Sequence, residues 1–235
     1  MLQAISQKKS TIHLRYLGAR DGTEGKVFEE DELTSLLLGP LQFMPEKTVA
    51  LFWHLLLIEM KAPNYTSSLP DSAHIGFWPK FSAEPGRTIE PDMFVELRWA
   101  DGTIFKLIVE LKWRAPLSGN DQLHRQWEYC ISDDERNNAF HLFIAPETSA
   151  AQAARSCPGK DPWKERLIEI SWYELMGVFD DMDTTFGVWP ELVVNTLDRL
   201  GIRRFKGFNY LSYPSTTFDT NQQPLFWNGL ISSDY

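Results

Sequence analysis

The sequence predicts an α/β fold with a mixed central sheet and helices on both of its faces. Helical patterns fill residues 29–61, two apolar strands joined by Asp101-Gly102 follow, and helices and strands then alternate after residue 120. Asp-Gly favours the left-handed positions of a hairpin turn. This order of elements is typical of a sheet covered on both sides by helices.

The amino-acid composition limits the classes of protein to which the chain can belong. It has 235 residues, 43% of them apolar, and its 23 basic and 32 acidic residues give a formal net charge of −9. A chain of this kind can bury a large core, which argues against wholesale disorder. Its most apolar run, residues 49–60, is far shorter than the roughly 20 residues that a bilayer requires. Two cysteines and no visible signal peptide lead us to expect a cytoplasmic protein.

The first helices follow an N-terminal segment, residues 1–28, for which the sequence indicates a short strand and a glycine-bearing loop. Four consecutive acids, Glu29 to Glu32, precede an apolar run, and acids stabilise the N-terminal end of a helix dipole. Gly39-Pro40 ends this helix. Pro45 opens a second helix that extends to about Lys61, with proline in its first turn.

The middle of the chain predicts a β-hairpin and then a helix. Residues 93–99 and 104–113 form its strands, and a helix over residues 122–132 follows. Residues 139–144 are almost wholly apolar, which favours a central strand. We expect helices at 149–156, 172–179 and 190–200 and an edge strand at 167–171. We therefore divide the chain into a core, residues 29–180, and a C-terminal helix with an irregular aromatic-rich extension, residues 181–235.

Charged residues end the second strand of the hairpin. Glu110 and Lys112 are two positions apart, so they share one face of the strand, whereas Leu111 points to the other. Counting outward from the turn places Asp92 across from Glu110 with an offset of one residue. The two carboxylates would then be close enough to bind one divalent ion. The alternative to a metal site is an ordinary ion pair between Glu110 and Lys112, with Asp92 capping the turn after Pro91.

The composition of this cluster indicates its chemistry. Carboxylates without histidine or cysteine favour Mg²⁺ or Mn²⁺ over zinc. Lys112 beside them has two plausible roles: it stabilises charge on a phosphate, or it orients a metal-bound water and helps to deprotonate it.

Pro91-Asp92 followed by Glu110-Leu111-Lys112 resembles the signature of the PD-(D/E)xK nuclease superfamily, which includes type II restriction endonucleases. The hairpin between the acids, the helix after the lysine and the next apolar strand are in that superfamily's order. The resemblance covers roughly residues 29–145. It implies a restriction-endonuclease-like core and a metal-dependent endonuclease that hydrolyses DNA phosphodiester bonds, in a bacterial antiphage-defence or DNA-processing system.

The resemblance also implies roles for individual residues. Asp92, Glu110 and the backbone carbonyl of Leu111 would be ligands to Mg²⁺ or Mn²⁺, and Lys112 would be the catalytic lysine. A glutamate on a preceding helix often completes such sites. Glu30 is our first choice because Glu30 to Thr34 resembles the opening of some bacterial members, and Glu46 and Glu59 are its rivals. The alternative for Glu30 is a favourable interaction with the helix dipole alone.

Gln122 matches a glutamine that some branches place on the helix after the lysine, often with a tyrosine. Gln126 and Tyr129 could share its helix face, although their spacing differs from that of those branches. The alternative for Gln122 is an ordinary residue at the start of a helix.

Basic residues predict where DNA would bind. Residues 198–206 carry four basic side chains, among them Arg203, Arg204 and Lys206, and such a segment can contact backbone phosphates. Its alternative is a helix C-terminus stabilised by cations. Arg114 and Arg125 lie near the predicted site and would extend the track.

Two further expectations concern partners. The chain would act as a homodimer or with partner proteins in a defence complex, away from membranes. The alternative function is a catalytically silent nuclease-fold subunit that binds DNA or a partner protein without cutting.

Overall fold

The computed structural model describes residues 2–10, 29–113, 117, 119, 121–156 and 163–202. The chain divides into two units, residues 1–204 and 205–235, and the description concerns the first. The strand that the sequence indicates at residues 11–16 lies outside the described residues. No helix among the described residues is long and apolar enough to cross a membrane.

Helices and strands alternate along the described chain much as the sequence predicts. The helices are α1 (Leu2–Ser6), α2 (Glu29–Leu37), α3 (Glu46–Glu59), α4 (Gln122–Cys130), α5 (Ser149–Ser156), α6 (Trp163–Arg166), α7 (Trp172–Asp180) and α8 (Trp189–Arg199). The strands are β1 (Ser72–Phe77), β2 (Phe81–Ser82), β3 (Thr88–Ile89), β4 (Met93–Arg98), β5 (Ile104–Leu111), β6 (Ala139–Ala145) and β7 (Leu167–Ser171). Short 3₁₀ turns occupy Gly39–Phe43, Arg136–Asn138 and Thr184–Phe186.

The central sheet has five strands in the order β1-β4-β5-β6-β7. Strands β1, β4 and β5 are antiparallel, whereas β5, β6 and β7 are parallel. The predicted mixed sheet is therefore confirmed, with β7 at an edge and β6 inside. A second, two-stranded sheet pairs β2 with β3.

The β4–β5 hairpin fixes the register of the site. Its turn is closed by the Gly102 amide, which donates to the Trp99 carbonyl at 3.0 Å, and Gly102 has a φ of 88° that glycine tolerates best. Met93 pairs with Val109, so the next position outward sets Asp92 opposite Glu110. The predicted offset of one residue is wrong, because the turn places Arg98 directly across from Ile104.

Alternation along β5 and β6 divides the core between the two faces of the sheet. Leu107, Val109 and Leu111 pack on the first face, against α2, α3, α7 and α8. Ile108 packs on the second face, in a smaller cluster with α4, α5 and α6. Glu110 and Lys112 follow Ile108 in the alternation, as the sequence predicts. The charged residues thus belong to the second face.

Strand β1 and helix α1 are absent from the predicted elements. Strand β1 extends the hairpin by pairing Phe77 with Met93. Helix α1 is held to α2 by the Ala4 amide, which donates to the Ser35 hydroxyl at 3.3 Å, and by the Ser10 hydroxyl, which donates to Glu32 at 2.6 Å. These bonds fix the beginning of α2, where Glu30 lies.

Candidate metal centre

Three carboxylates from separate parts of the chain meet at the end of the hairpin. Glu30 comes from the first turn of α2, Asp92 precedes β4, and Glu110 is near the end of β5. One oxygen of each lies within 4.8 Å of the others. Asp92 and Glu110 are buried, and Glu30 is half-buried. The fold thus brings together the two predicted carboxylates and the preferred third.

Lys112 lies among these carboxylates. Its Nζ is 2.6 Å from Glu30 Oε1 and 2.8 Å from Glu110 Oε1. Its backbone is held on the other side, because its amide donates to the Ile144 carbonyl at 2.7 Å and its carbonyl accepts from Trp172 Nε1 at 2.8 Å. The lysine is therefore anchored by both β6 and α7.

Helix α7 positions the tryptophan that anchors Lys112. Ser171 ends β7 and caps the helix: its hydroxyl accepts from the Glu174 amide at 3.1 Å, and Glu174 accepts in turn from the Ser171 amide at 2.7 Å. Such a reciprocal cap fixes the first turn of a helix. Trp172 is the first residue of α7, so this cap sets the direction of its indole.

The Asp92 carboxyl is tied to the backbone of the neighbouring strand. Its Oδ2 accepts from the Leu111 amide at 2.7 Å. The amide and carbonyl of one residue in a strand point to the same edge. The Leu111 carbonyl is therefore expected on the same edge of β5 as its amide.

Electrostatics in the cluster favour a cation. Burial, followed by the neighbouring Glu110, raises the pKa of Asp92 well above its usual value. Burial would lower the pKa of Lys112, but Glu110 and Glu30 outweigh it and raise the pKa above its usual value. Three ionised carboxylates against one ammonium leave a formal charge of −2. A divalent cation would neutralise that formal charge, and its binding would favour the ionised form of Asp92.

Two glutamines of α4 hold the Glu110 carboxylate. Gln122 Nε2 donates to Glu110 Oε1 at 2.6 Å, and Gln126 Nε2 donates to Oε2 at 2.7 Å. Gln122 was the glutamine predicted at this site, and Gln126 was expected only to share its helix face. The signal was present in the sequence, because residues four apart share one face of a helix.

The rival glutamates lie away from the cluster. Glu46 and Glu59 are at opposite ends of α3, and both are exposed. Glu46 acts electrostatically on Arg98, at the turn end of the hairpin. Of the three glutamates considered, the structure therefore brings only Glu30 to Asp92 and Glu110.

The predicted DNA contacts are described only in part. Arg125 lies on α4 and lines a cavity of about 370 Å³ together with Glu90, Asp121 and both glutamines. Because those glutamines also bind Glu110, the cavity adjoins the carboxylates. Arg114, Arg203, Arg204 and Lys206 lie outside the described residues. The described helix α8 ends in a glycine cap, with Gly201 at a φ of 95° and the Ile202 amide donating to the Leu197 carbonyl at 2.9 Å.

Comparisons with known proteins identify no family for this chain. No protein-family model, no curated protein and no solved structure matches it.

Proposed function

We propose that this chain is a metal-dependent nuclease that hydrolyses DNA phosphodiester bonds with Mg²⁺ or Mn²⁺. The observation that carries the proposal is the meeting of Glu30, Asp92 and Glu110 around Lys112 at the end of one hairpin. Oxygen ligands of this kind suit Mg²⁺ and Mn²⁺. The order of hairpin, helix and parallel strand supports a restriction-endonuclease-like core.

The carboxylates and Lys112 take different roles in this proposal. Asp92, Glu110 and the Leu111 carbonyl hold the metal, and Glu30 orients Lys112 or completes the ligand set. A metal bound by these groups would lower the pKa of a coordinated water and so favour its attack on the phosphate. The raised pKa of Lys112 keeps its side chain cationic. A cationic lysine suits stabilisation of negative charge on the phosphate, the first of the two predicted roles, better than deprotonation of the water.

A DNA substrate is compatible with the negative net charge of the chain. The formal charge of −9 includes the carboxylates of the metal cluster and the acids at the start of α2. Arg125 at the cavity and the predicted basic residues near 203–206 would contact phosphates as a narrow track. We propose a cytoplasmic setting in antiphage defence or DNA processing, as a homodimer or with partner proteins.

A cleavage assay with plasmid, linear and single-stranded DNA in Mg²⁺ or Mn²⁺ tests the function. Lys112→Met should lower the rate by about 100- to 1,000-fold, the loss expected when one group that stabilises the transition state is removed. Lys106→Met is the matched control, because Lys106 lies on the same strand and pairs with Glu135 instead of the cluster. Equal cleavage by Lys112→Met and the parent would refute the proposal.

Direct metal binding separates the proposed enzyme from its alternative. Isothermal titration with Mn²⁺ should show binding by the parent and a large loss in Glu110→Gln. Binding of Mn²⁺ without cleavage of any substrate would favour the catalytically silent nuclease-fold subunit. Lack of Mn²⁺ binding by the folded parent would rule out the metal centre.

A further inference from the structure

A buried chain of hydrogen bonds connects Glu110 to Trp163 through Gln126 and His141. Trp163 Nε1 donates to His141 Nδ1 at 3.3 Å, and His141 Nε2 lies 3.1 Å from Gln126 Oε1. Gln126 Nε2 then donates to Glu110 Oε2 at 2.7 Å. The four side chains expose 3% or less of their surface. They join α6, β6, α4 and β5 beneath the proposed metal centre.

The donor and the acceptor of each hydrogen bond in this chain follow from the indole N–H of Trp163. An indole N–H can only donate a hydrogen bond, so His141 Nδ1 accepts. A neutral imidazole that accepts at Nδ1 carries its proton on Nε2. His141 therefore donates to Gln126 Oε1, which leaves the Gln126 amide NH₂ facing Glu110.

His141 is held in the neutral form that this arrangement needs. Burial, followed by the charge of His124, lowers the pKa of His141 to about 3. A second proton on the ring would sit on Nδ1, where it would face the indole N–H of Trp163. The two donors would oppose each other. The ring thus keeps one tautomer over the working pH range.

Gln126 is the more deeply buried of the two glutamines that bind Glu110. Gln122 is half-buried at the first position of α4 and shares Glu110 Oε1 with Lys112. Gln126 is buried and is bonded at both ends of its amide, to His141 and to Oε2 of Glu110. With the amide reversed, its carbonyl oxygen would face the carboxylate. The Glu110 carboxylate and the Nε2–H of His141 both disfavour that reversal, one from each end of the amide.

We infer that His141 is a positioning residue of the proposed metal centre: fixed by Trp163, it sets the direction of the Gln126 amide and so holds the Glu110 carboxylate in one orientation. This role rests on the proposed function, because it matters through Glu110 as a metal ligand. Removal of a partner that orients a metal ligand in this way typically lowers metal affinity or activity by about 10- to 100-fold.

The tautomer of His141 is the first test, and it requires no variant. Long-range ¹H–¹⁵N correlation spectra of the labelled parent should show a neutral ring protonated on Nε2 throughout pH 5–8. A ring protonated on Nδ1, or a charged ring in that range, would overturn the inference.

Mn²⁺ affinity is the second test, measured by titration calorimetry on folded proteins. His141→Phe should bind Mn²⁺ about 10- to 100-fold more weakly than the parent. His54→Phe is the matched control, since His54 is also a buried histidine with a hydrogen-bonded ring, 3.1 Å from the Tyr65 hydroxyl, but it lies on α3. The control should bind Mn²⁺ within about threefold of the parent affinity. That change is much smaller than the roughly 10- to 100-fold loss expected when a partner of a metal ligand is removed.

A gentler substitution keeps the test decisive if His141→Phe fails to fold. Trp163→Phe retains an aromatic ring but frees His141 Nδ1, and it should cost about tenfold in Mn²⁺ affinity. Parent-like affinity in the folded variants would overturn the role of His141 and leave the metal centre intact. Failure of the parent itself to bind Mn²⁺ would instead overturn the proposed function and, with it, this role.

Discussion

The two faces of the central sheet are built differently, although the same strands supply both. The first face is large and mainly apolar, with Phe52, Trp53 and Leu56 fully buried. The second face has a smaller apolar cluster, and beside it lie the buried polar side chains of Gln126 and His141. Apolar burial is the dominant stabilising contribution in folding. The first face thus carries most of the stability, which allows the second face to hold a cluster of charges.

A cavity on the first face should give the largest loss of stability. Phe52 is fully buried, with ring centroids 4.9 Å from Trp53, 5.6 Å from Phe179 and 5.4 Å from Trp189. Phe52→Ala should therefore lower the free energy of unfolding by about 3–5 kcal/mol, as measured by urea denaturation. Mn²⁺ affinity of the folded variant should be unchanged. A large change in that affinity would show that the two faces are not separate in function.

Metal binding should stabilise the protein through the second face. A ligand at 100 times its dissociation constant adds about 2.7 kcal/mol when only the folded state binds it. For a chain of this size, that corresponds to a rise of roughly 5–10 °C in the Tm, measured by calorimetry with Mn²⁺. Asp92→Asn should abolish the rise. An equal rise in this variant would place the metal elsewhere.

Acid should destabilise the protein through His141. Burial lowers the pKa of His141 to about 3 in the folded state, whereas an unfolded chain has the ordinary histidine pKa of about 6.5. Between these two pH values the unfolded chain therefore binds one more proton than the folded protein. The contribution of His141 to stability is therefore present above about pH 6.5 and is lost as the pH falls. Between pH 7 and pH 5 this amounts to roughly 2 kcal/mol.

Urea denaturation of the parent and of His141→Phe at both pH values isolates this contribution. The difference in unfolding free energy between the two proteins should shrink at pH 5. A difference independent of pH would show that His141 does not stay neutral in the fold.

The smallest effect is expected at the rim of the second face. Lys106 and Glu135 form an ion pair there, with 19% and 35% of their side chains exposed. Lys106→Met should cost about 1 kcal/mol or less in denaturation experiments. A loss as large as that of Phe52→Ala would contradict the proposed division of stability between the faces.

The elements that the sequence predicts well are those with their own local signals. The hairpin has a strong turn, and β6 is apolar at every position except His141. Strand β1 was missed because it contains His74 and Gly76 and is defined mainly by pairing with β4. Strand formation depends on such neighbours more than helix formation does. The apolar residues Ala73, Ile75 and Phe77 at every second position were the available signal in the sequence.

The same distinction applies to the candidate site. Asp92, Glu110 and Lys112 were predictable because one hairpin places them, and strand alternation fixes their face. Glu30 was a choice among three glutamates, since only tertiary packing brings α2 to the hairpin. His141 and Trp163 carried no local signal as partners of Gln126, because the sheet and α6 bring them together. Contacts distant in sequence depend on the complete fold.

The origin of Glu30 on a helix has a consequence for local motion. Asp92, Glu110 and Lys112 are held by the hydrogen bonds of the sheet, whereas Glu30 reaches Lys112 across 82 residues of sequence. Local opening free energies differ among the cooperative units of a protein. A metal that joins α2 to the hairpin would therefore slow amide hydrogen exchange in Glu29–Leu37 more than in β5. Exchange in this helix would report how far metal binding links the two parts of the site.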